Sequence, residues 1–164
     1  MEKNYPSSSK VVVIGGGVIG CSVAYHLTKF GWRDVTLLER DQLTSGTTWH
    51  AAGLVSQLGP TAAVTKIRKY TLDLYKKLEK EVNHSAGLRL NGALSIAQTN
   101  SRWQELKRQA TTAQLYDVDI DILDSDTIKK RYPMMQTEDL KGGVLMSGDG
   151  AADPSGVTLS LIHI

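Results

Sequence analysis

Cysteine is nearly absent from this sequence. Cys21 is the single one in 164 residues, which excludes an intrachain disulfide, a C-x-x-C metal site and a paired-thiol redox centre. Its neighbours place it inside a helix, where it reads as a small buried hydrophobe rather than a reactive thiol. No run approaches the roughly 18 apolar residues that a bilayer-spanning helix needs. The first ten residues, MEKNYPSSSK, lack both the apolar core of a secretory signal and the Arg-rich amphipathic pattern of a transit peptide. A dominant charge is lacking too. The 19 basic and 17 acidic residues are scattered, for a formal net charge of +2, which leaves no electrostatic footprint for nucleic acid or an anionic membrane. There is no internal repeat. At 41% hydrophobic and 22% charged residues, the composition is that of an ordinary globular chain whose partners are small molecules or proteins.

What is present begins with Val11, Val12, Val13 and Ile14, a β-branched run that meets three glycines. Apolar residues then recur at Val18, Ile19, Val23, Ala24 and Leu27, so the period changes from strand to helix at the glycines. Gly31 stops that helix, and Val35, Leu37 and Leu38 supply a second strand ending at Glu39. Gln42 to Pro60 is rich in Ser, Thr and Gly and is expected to be a functional loop with a helical turn. Residues 62–82 form an amphipathic helix with Val64, Ile67, Leu72, Leu74, Tyr75 and Leu78 on its apolar positions, ended by Asn83, His84 and Gly87. Leu88 to Gln98 predicts a hairpin or two short strands around Asn91 and Gly92. Asn100 or Ser101 then caps a helix carrying Trp103, Leu106 and Ala110. Val118, Ile120 and Ile122 alternate with aspartates as a strand with one wet face, and Ser125 caps a short helix ending before Pro133. Gly142 to Leu145 opens another strand, and Asp153 with Pro154 a last helix that stops after about two turns. That abrupt stop, with only two good parallel strands in view, predicts a truncated piece of a larger protein.

Gly15, Gly17 and Gly20 match G-x-G-x-x-G between a strand and a helix, the context in which that pattern means dinucleotide binding. Gly15 permits the tight turn, Gly17 lets backbone approach a pyrophosphate, and Gly20 lets the helix pack closely on the strand. Val18 and Ile19 open the helix, whose N-terminus offers free N–H groups and a positive dipole end to phosphates. Glu39, at the end of the second strand, can accept hydrogen bonds from ribose hydroxyls and disfavours a 2′-phosphate. FAD and NAD share this fingerprint, so the choice between them rests on the residues downstream of Leu38.

Glu39 and Arg40, with Ser45-Gly46-Thr47-Thr48-Trp49-His50-Ala51-Ala52-Gly53-Leu54 after them, resemble the flavin-proximal loop of the dimethylglycine and sarcosine dehydrogenases, members of the D-amino-acid-oxidase-like flavoprotein superfamily. The resemblance continues through Tyr70 to Leu78, Asn91-Gly92-Ala93-Leu94, Tyr132-Pro133, Gly148-Asp149-Gly150 and Asp153-Pro154, from residue 10 to about 160. It implies an α/β, Rossmann-type βαβ FAD-binding fold, the N-terminal part of a larger two-subdomain flavoprotein. On that division residues 1–9 are a disordered leader, 10–60 the βαβ unit and flavin loop, 61–150 intervening helices and strands, and 151–164 the start of a truncated helix.

The resemblance also implies that His50 bonds covalently to the flavin 8α-methyl group, against the alternative of a histidine that only hydrogen-bonds within its loop. Small neighbours Ala51, Ala52 and Gly53 would admit the ring, with Leu54 beyond them. Ser45, Thr47 and Thr48 either donate hydroxyls to the pyrophosphate and flavin edge or serve ordinary turn chemistry. Arg40 either pairs with phosphate or adenine surroundings or is a solvated strand-end charge. The implied reaction is hydride transfer from the N-methyl carbon of sarcosine or dimethylglycine to flavin N5. An electron-transfer flavoprotein would be the acceptor, folate the carrier in the full-length family, and the mitochondrial matrix the compartment, or the cytoplasm for a bacterial protein. No catalytic residue is assigned, and the chain alone is expected to be inactive. Rival readings are a non-catalytic relative resembling the regulatory subunit of pyruvate dehydrogenase phosphatase, an oxygen-using amine oxidase, and an NAD-dependent dehydrogenase, which leaves the 47–53 loop without a role. His26 and His84 read as structural, Trp32, Trp49 and Trp103 lack the spacing of a cage, and Asp117, Asp119, Asp121, Asp124 and Asp126 fit strand alternation and a helix cap better than a metal site.

Overall fold

The computed structural model describes residues 6–82 and 85–163; the expected helix end at Asn83 and His84 lies outside them. The chain divides into two compact units. One comprises residues 1–53, 75–88 and 152–164, the other residues 54–74 and 89–151.

The first unit opens with strand β1 (Val11–Ile14), helix α1 (Val18–Lys29) and strand β2 (Val35–Leu38). β1 and β2 pair in parallel, Val11 opposite Val35 and Ile14 opposite Leu38. Parallel strands need a crossover, and α1 is that crossover. Gly31 ends it as the glycine spacing predicts, at φ 89°, with the Trp32 N–H returning to the Leu27 carbonyl at 3.0 Å. Ser9, expected in a disordered leader, donates its hydroxyl to the Asp34 carboxylate at 3.1 Å. A 3-10 turn lies at Thr47–His50. The unit closes with helix α5 (Pro154–Ile162), which packs on α1. Cys21, Ala24, Tyr25, Leu78, Val157 and Leu161 are buried in this unit. Asp153 caps α5 by accepting from the Ser155 N–H at 3.1 Å, with Pro154 in the first turn, where its missing N–H costs nothing.

The second unit holds β3 (Leu54–Val55), most of α2 (Ala62–Glu81), β4 (Ala93–Ala97), α3 (Asn100–Gln114), β5 (Asp121–Leu123), α4 (Ser125–Arg131), β6 (Gly142–Met146) and β7 (Gly150–Ala151). The sheet order is β4-β6-β5, all antiparallel, and β3 pairs with β7. Adjacent residues of β6 face opposite sides of the sheet. Val144 joins Ala97, Leu106 and Ala110, while Leu145 joins Leu123, Ile128 and Leu140. A strand covered on both faces reads as continuous apolar sequence, and Gly142–Met146 does.

Four expectations shift. Leu88 to Gln98 is not a hairpin: only Ala93–Ala97 is a strand, its partner is β6, and Arg89 makes an isolated bridge to Ala151. The α3 cap is Thr99, whose hydroxyl accepts from the Arg102 N–H at 3.2 Å. The α4 cap is Asp124, accepting from Thr127 at 2.8 Å. In the aspartate-rich strand, pairing covers only residues 121–123, with Leu123 buried and Ile122 exposed. Val118 is buried just before it, where its N–H returns to the Ala113 carbonyl at the end of α3.

Candidate dinucleotide site

β1 delivers the chain to Gly15, which turns at φ 109° and donates its N–H to the Leu38 carbonyl at 2.7 Å. A side chain there would be strained. Gly20 lies one turn into α1 so close to β1 that a Cβ on it would overlap the Gly15 carbonyl oxygen, while Val13 Cγ1 lies 3.4 Å away. At Gly17 an added Cβ would come 2.9 Å from Thr48 Oγ1. That hydroxyl accepts the Val18 N–H at 2.9 Å and is buried. Thr48 thus caps α1, a task the sequence leaves undecided between cofactor contact and turn chemistry. Among the described residues no protein acceptor takes the N–H groups of Gly17, Ile19 or Gly20. These amides and the helix dipole form a cradle that suits a pyrophosphate.

Glu39 turns toward the same place. Its Oε2 accepts the Gly16 N–H at 2.6 Å and its Oε1 the Asp41 N–H at 3.0 Å. These two amide bonds, Gly16 foremost, hold the carboxyl below the ordinary glutamate range. A carboxylate offers about four lone-pair sites, so the capacity to accept ribose hydroxyls remains. Burial, and secondarily the Glu39 charge, pushes the Cys21 thiol up. Cys21 is fully buried with Sγ 3.6 Å from the Gly16 carbonyl. A groove of about 500 Å³ opens beside Glu39, walled by Ser8, Ser9, Val12, Thr36 and Leu38. A second groove, of about 560 Å³ at Leu58, Pro60, Arg108 and Met146, contains none of the predicted site residues.

The 40–54 segment is anchored to this turn. The Thr44 N–H donates to the Gly16 carbonyl at 3.0 Å, and Thr44 sits at φ 71°, an uncommon conformation for a β-branched residue. Leu43 occupies the space that a side chain at Gly16 would need. Gly16, Leu43 and Thr44 are absent from the sequence-predicted set; only the unbroken glycine triplet hints at the first. In the 3-10 turn, Trp49 Nε1 donates to the Ser45 carbonyl at 3.1 Å and His50 Nδ1 lies 3.0 Å from the Gly46 carbonyl. The two rings lie against each other with centroids 4.0 Å apart, tilted by 39°. A carbonyl only accepts, so Nδ1 is the donor in this contact. Arg40, Ser45, Thr47, His50 and Ala52 are exposed, as is Leu54 at 81%. Gly53 turns at φ 69°, and its carbonyl accepts the Ala152 N–H at 2.8 Å.

His26 Nδ1 lies 2.7 Å from the Ser22 carbonyl one helical turn back, and His84 lies outside the described residues. No three His, Cys, Asp or Glu side chains among the described residues could hold a metal ion. No described helix is long and apolar enough to cross a membrane.

Residues 10–163 match the DAO family, FAD dependent oxidoreductase. Human mitochondrial sarcosine dehydrogenase is 41% identical over 157 residues, covering 95% of this chain and 17% of that protein. Human mitochondrial dimethylglycine dehydrogenase is 36% identical over 160 residues, covering 98% of this chain and 18% of that protein. Among solved structures, L-proline dehydrogenase from P. horikoshii superposes with a TM-score of 0.87 at 25% identity, over 96% of this chain and 41% of that one. The chain therefore spans less than a fifth of the length of the two dehydrogenases it matches in sequence. With the glycine turn, the acidic strand end and the family match in agreement over the same residues, the chain belongs to the DAO family of FAD-dependent oxidoreductases.

Proposed function

We propose that this chain is the FAD-binding portion of an enzyme that oxidises an N-methyl amino acid of the sarcosine or dimethylglycine type, with FAD tethered through His50. FAD, when bound, supplies the two-electron acceptor. The chain's own part is to hold it. The free amides of Gly17, Ile19 and Gly20 take the pyrophosphate, Glu39 the adenosine ribose, and the 45–54 loop the flavin end. Electron-transfer flavoprotein as acceptor, folate as one-carbon carrier and the mitochondrial matrix as compartment belong to the same reading, supported by the likeness to the mitochondrial dehydrogenases.

The observation that carries it is the setting of His50. Its ring is exposed, with Nδ1 held by the Gly46 carbonyl and the tilted Trp49 ring beside it, and Nε2 has no protein partner among the described residues. That arrangement fixes the ring through Nδ1 and leaves Nε2 as the nitrogen to meet the flavin. The test is to precipitate the full-length protein with acid. We expect yellow flavin in the pellet, and in the supernatant instead for His50→Ala. Flavin released from the wild type would remove the tether and leave an oxidoreductase. A colourless native protein would favour the non-catalytic regulatory reading.

A further inference from the structure

Gly16 falls on a free position of the G-x-G-x-x-G pattern, yet it has no room for a side chain. A Cβ there would strike Leu43 Cδ2 and come within 3.0 Å of Glu39 Cβ. The turn therefore runs through three consecutive glycines, and its peptides owe their orientation to hydrogen bonds rather than to side-chain sterics. Both inner peptides are held. The Gly16 N–H donates to Glu39 Oε2 at 2.6 Å, which fixes the peptide between Gly15 and Gly16. The Gly16 carbonyl accepts the Thr44 N–H at 3.0 Å, which fixes the peptide between Gly16 and Gly17.

The second of these peptides matters most for a ligand. A planar trans peptide sets its carbonyl and its N–H on opposite sides, so pinning the Gly16 carbonyl aims the Gly17 N–H. That N–H is one of the three cradle amides with no protein acceptor among the described residues. Glycine on both sides lets such a peptide turn over at little steric cost. Turned over, it would present the Gly16 carbonyl oxygen where the amide stands, and a carbonyl oxygen repels a phosphate. Thr44 prevents this from a strained position. It sits at φ 71°, a conformation that a β-branched residue keeps only where its surroundings impose it. They impose it through Leu43, packed over Gly16, and through the Ser45 N–H, which closes a turn on the Gln42 carbonyl at 3.2 Å. All of these residues belong to the first unit.

Resting on the FAD reading above, we propose that Thr44 is a positioning residue for the pyrophosphate: its backbone N–H, with Leu43 as cover, latches the Gly16–Gly17 peptide so that the Gly17 amide faces the phosphates before FAD arrives. The latch is a main-chain group. It needs the N–H and the left-handed φ of residue 44 but not the threonine hydroxyl.

The experiment uses the full-length protein in a His50→Ala background, where no tether forms, the flavin exchanges and an equilibrium affinity can be read. Three changes are compared with that parent. An amide-to-ester exchange at residue 44 deletes the one N–H and keeps the threonine side chain. Thr44→Asn keeps the N–H and tolerates a positive φ, and Leu43→Ala removes the cover. FAD affinity and the phosphorus NMR resonances of the bound FAD are measured for each. The ester is expected to bind FAD about tenfold more weakly, the scale of one hydrogen bond, and to shift the phosphorus resonances. Thr44→Asn should match the parent in both readings, and Leu43→Ala should show a smaller loss in the same direction. Parent-like affinity in the ester would overturn the latch, as would a Thr44→Asn protein as weak as the ester. A weaker ester whose phosphorus resonances stay in place would also overturn it, in favour of a role in folding alone. Should the ester protein not fold, Leu43→Ala decides on the same readings, and unchanged affinity there overturns the latch. A parent that binds no FAD would sink the FAD reading and this inference with it, whereas the other failures leave FAD binding intact.

Discussion

Glu39 shows how much a single side chain in this turn is asked to do. Its carboxylate joins the end of β2 to the amide of Gly16 in the glycine turn, so the residue that suits a ribose also shapes the turn that suits the phosphates. The bonds from Gly16 and Asp41 lower its folded pKa below the value it has in an unfolded chain. A group with a depressed folded pKa contributes stability above its unfolded pKa, and that contribution fades as the pH falls through the folded one. Glu39→Gln removes the titration while keeping the shape. We expect its unfolding midpoint to fall less steeply than the wild type's as pH is lowered from neutral through the ordinary carboxylate range and below. Urea titrations at a series of pH values check this, and parallel profiles for the two proteins would contradict it. Cys21, directly behind the turn, has no such exposed task and reads as packing, as its sequence context predicts.

At the level of elements, the start of α1 is where loop and helix depend on each other. Thr48 sits in the 3-10 turn but caps a helix thirty residues earlier. Thr48→Val keeps the volume and removes the acceptor, which leaves the Val18 N–H unsatisfied. The expected cost is about 1–2 kcal/mol of stability, measured by urea unfolding. Thr48→Ser should recover most of it. No local sequence signal announces such a cap, because the two residues meet only in the folded chain. The same reason separates what is legible in the sequence from what is not. The strand, glycine turn, helix and strand of residues 11–39 are legible because period, glycine spacing and Glu39 all lie within one short stretch. β4 reads as half of a hairpin because its true partner is some fifty residues downstream, at Gly142–Met146. The caps of α3 and α4 fall just before the expected residues because Thr99-Asn100-Ser101 and Asp124-Ser125 offer adjacent residues of equal capping chemistry. In the site itself, Leu43 and Thr44 are invisible, since a covering leucine and a positive φ leave no mark in a single sequence.

For the whole molecule the telling feature is where apolar surface lies in the open. Val12 and Ile14 alternate onto one face of β1 and are 50% and 86% exposed; Leu38 on β2 is 43% exposed and Ile19 of α1 78%. Among the described residues β1 pairs only with β2, so its other edge presents unpaired backbone beside that apolar face. Both features favour association, and a net charge of +2 over 164 residues supplies little repulsion to oppose it. The 164-residue chain produced by itself should therefore bind a hydrophobic dye such as ANS and sediment as a concentration-dependent mixture. Val12→Thr with Ile14→Thr tests the source. Threonine keeps the β-branched shape that suits a strand, and substitution at exposed positions shifts stability by only about 0.5 kcal/mol. The double variant should lose much of the dye fluorescence and the self-association while its thermal midpoint stays near that of the parent. If the dye signal persists unchanged, the exposed surface that matters lies elsewhere, with Leu54 at 81% exposure the next position to change.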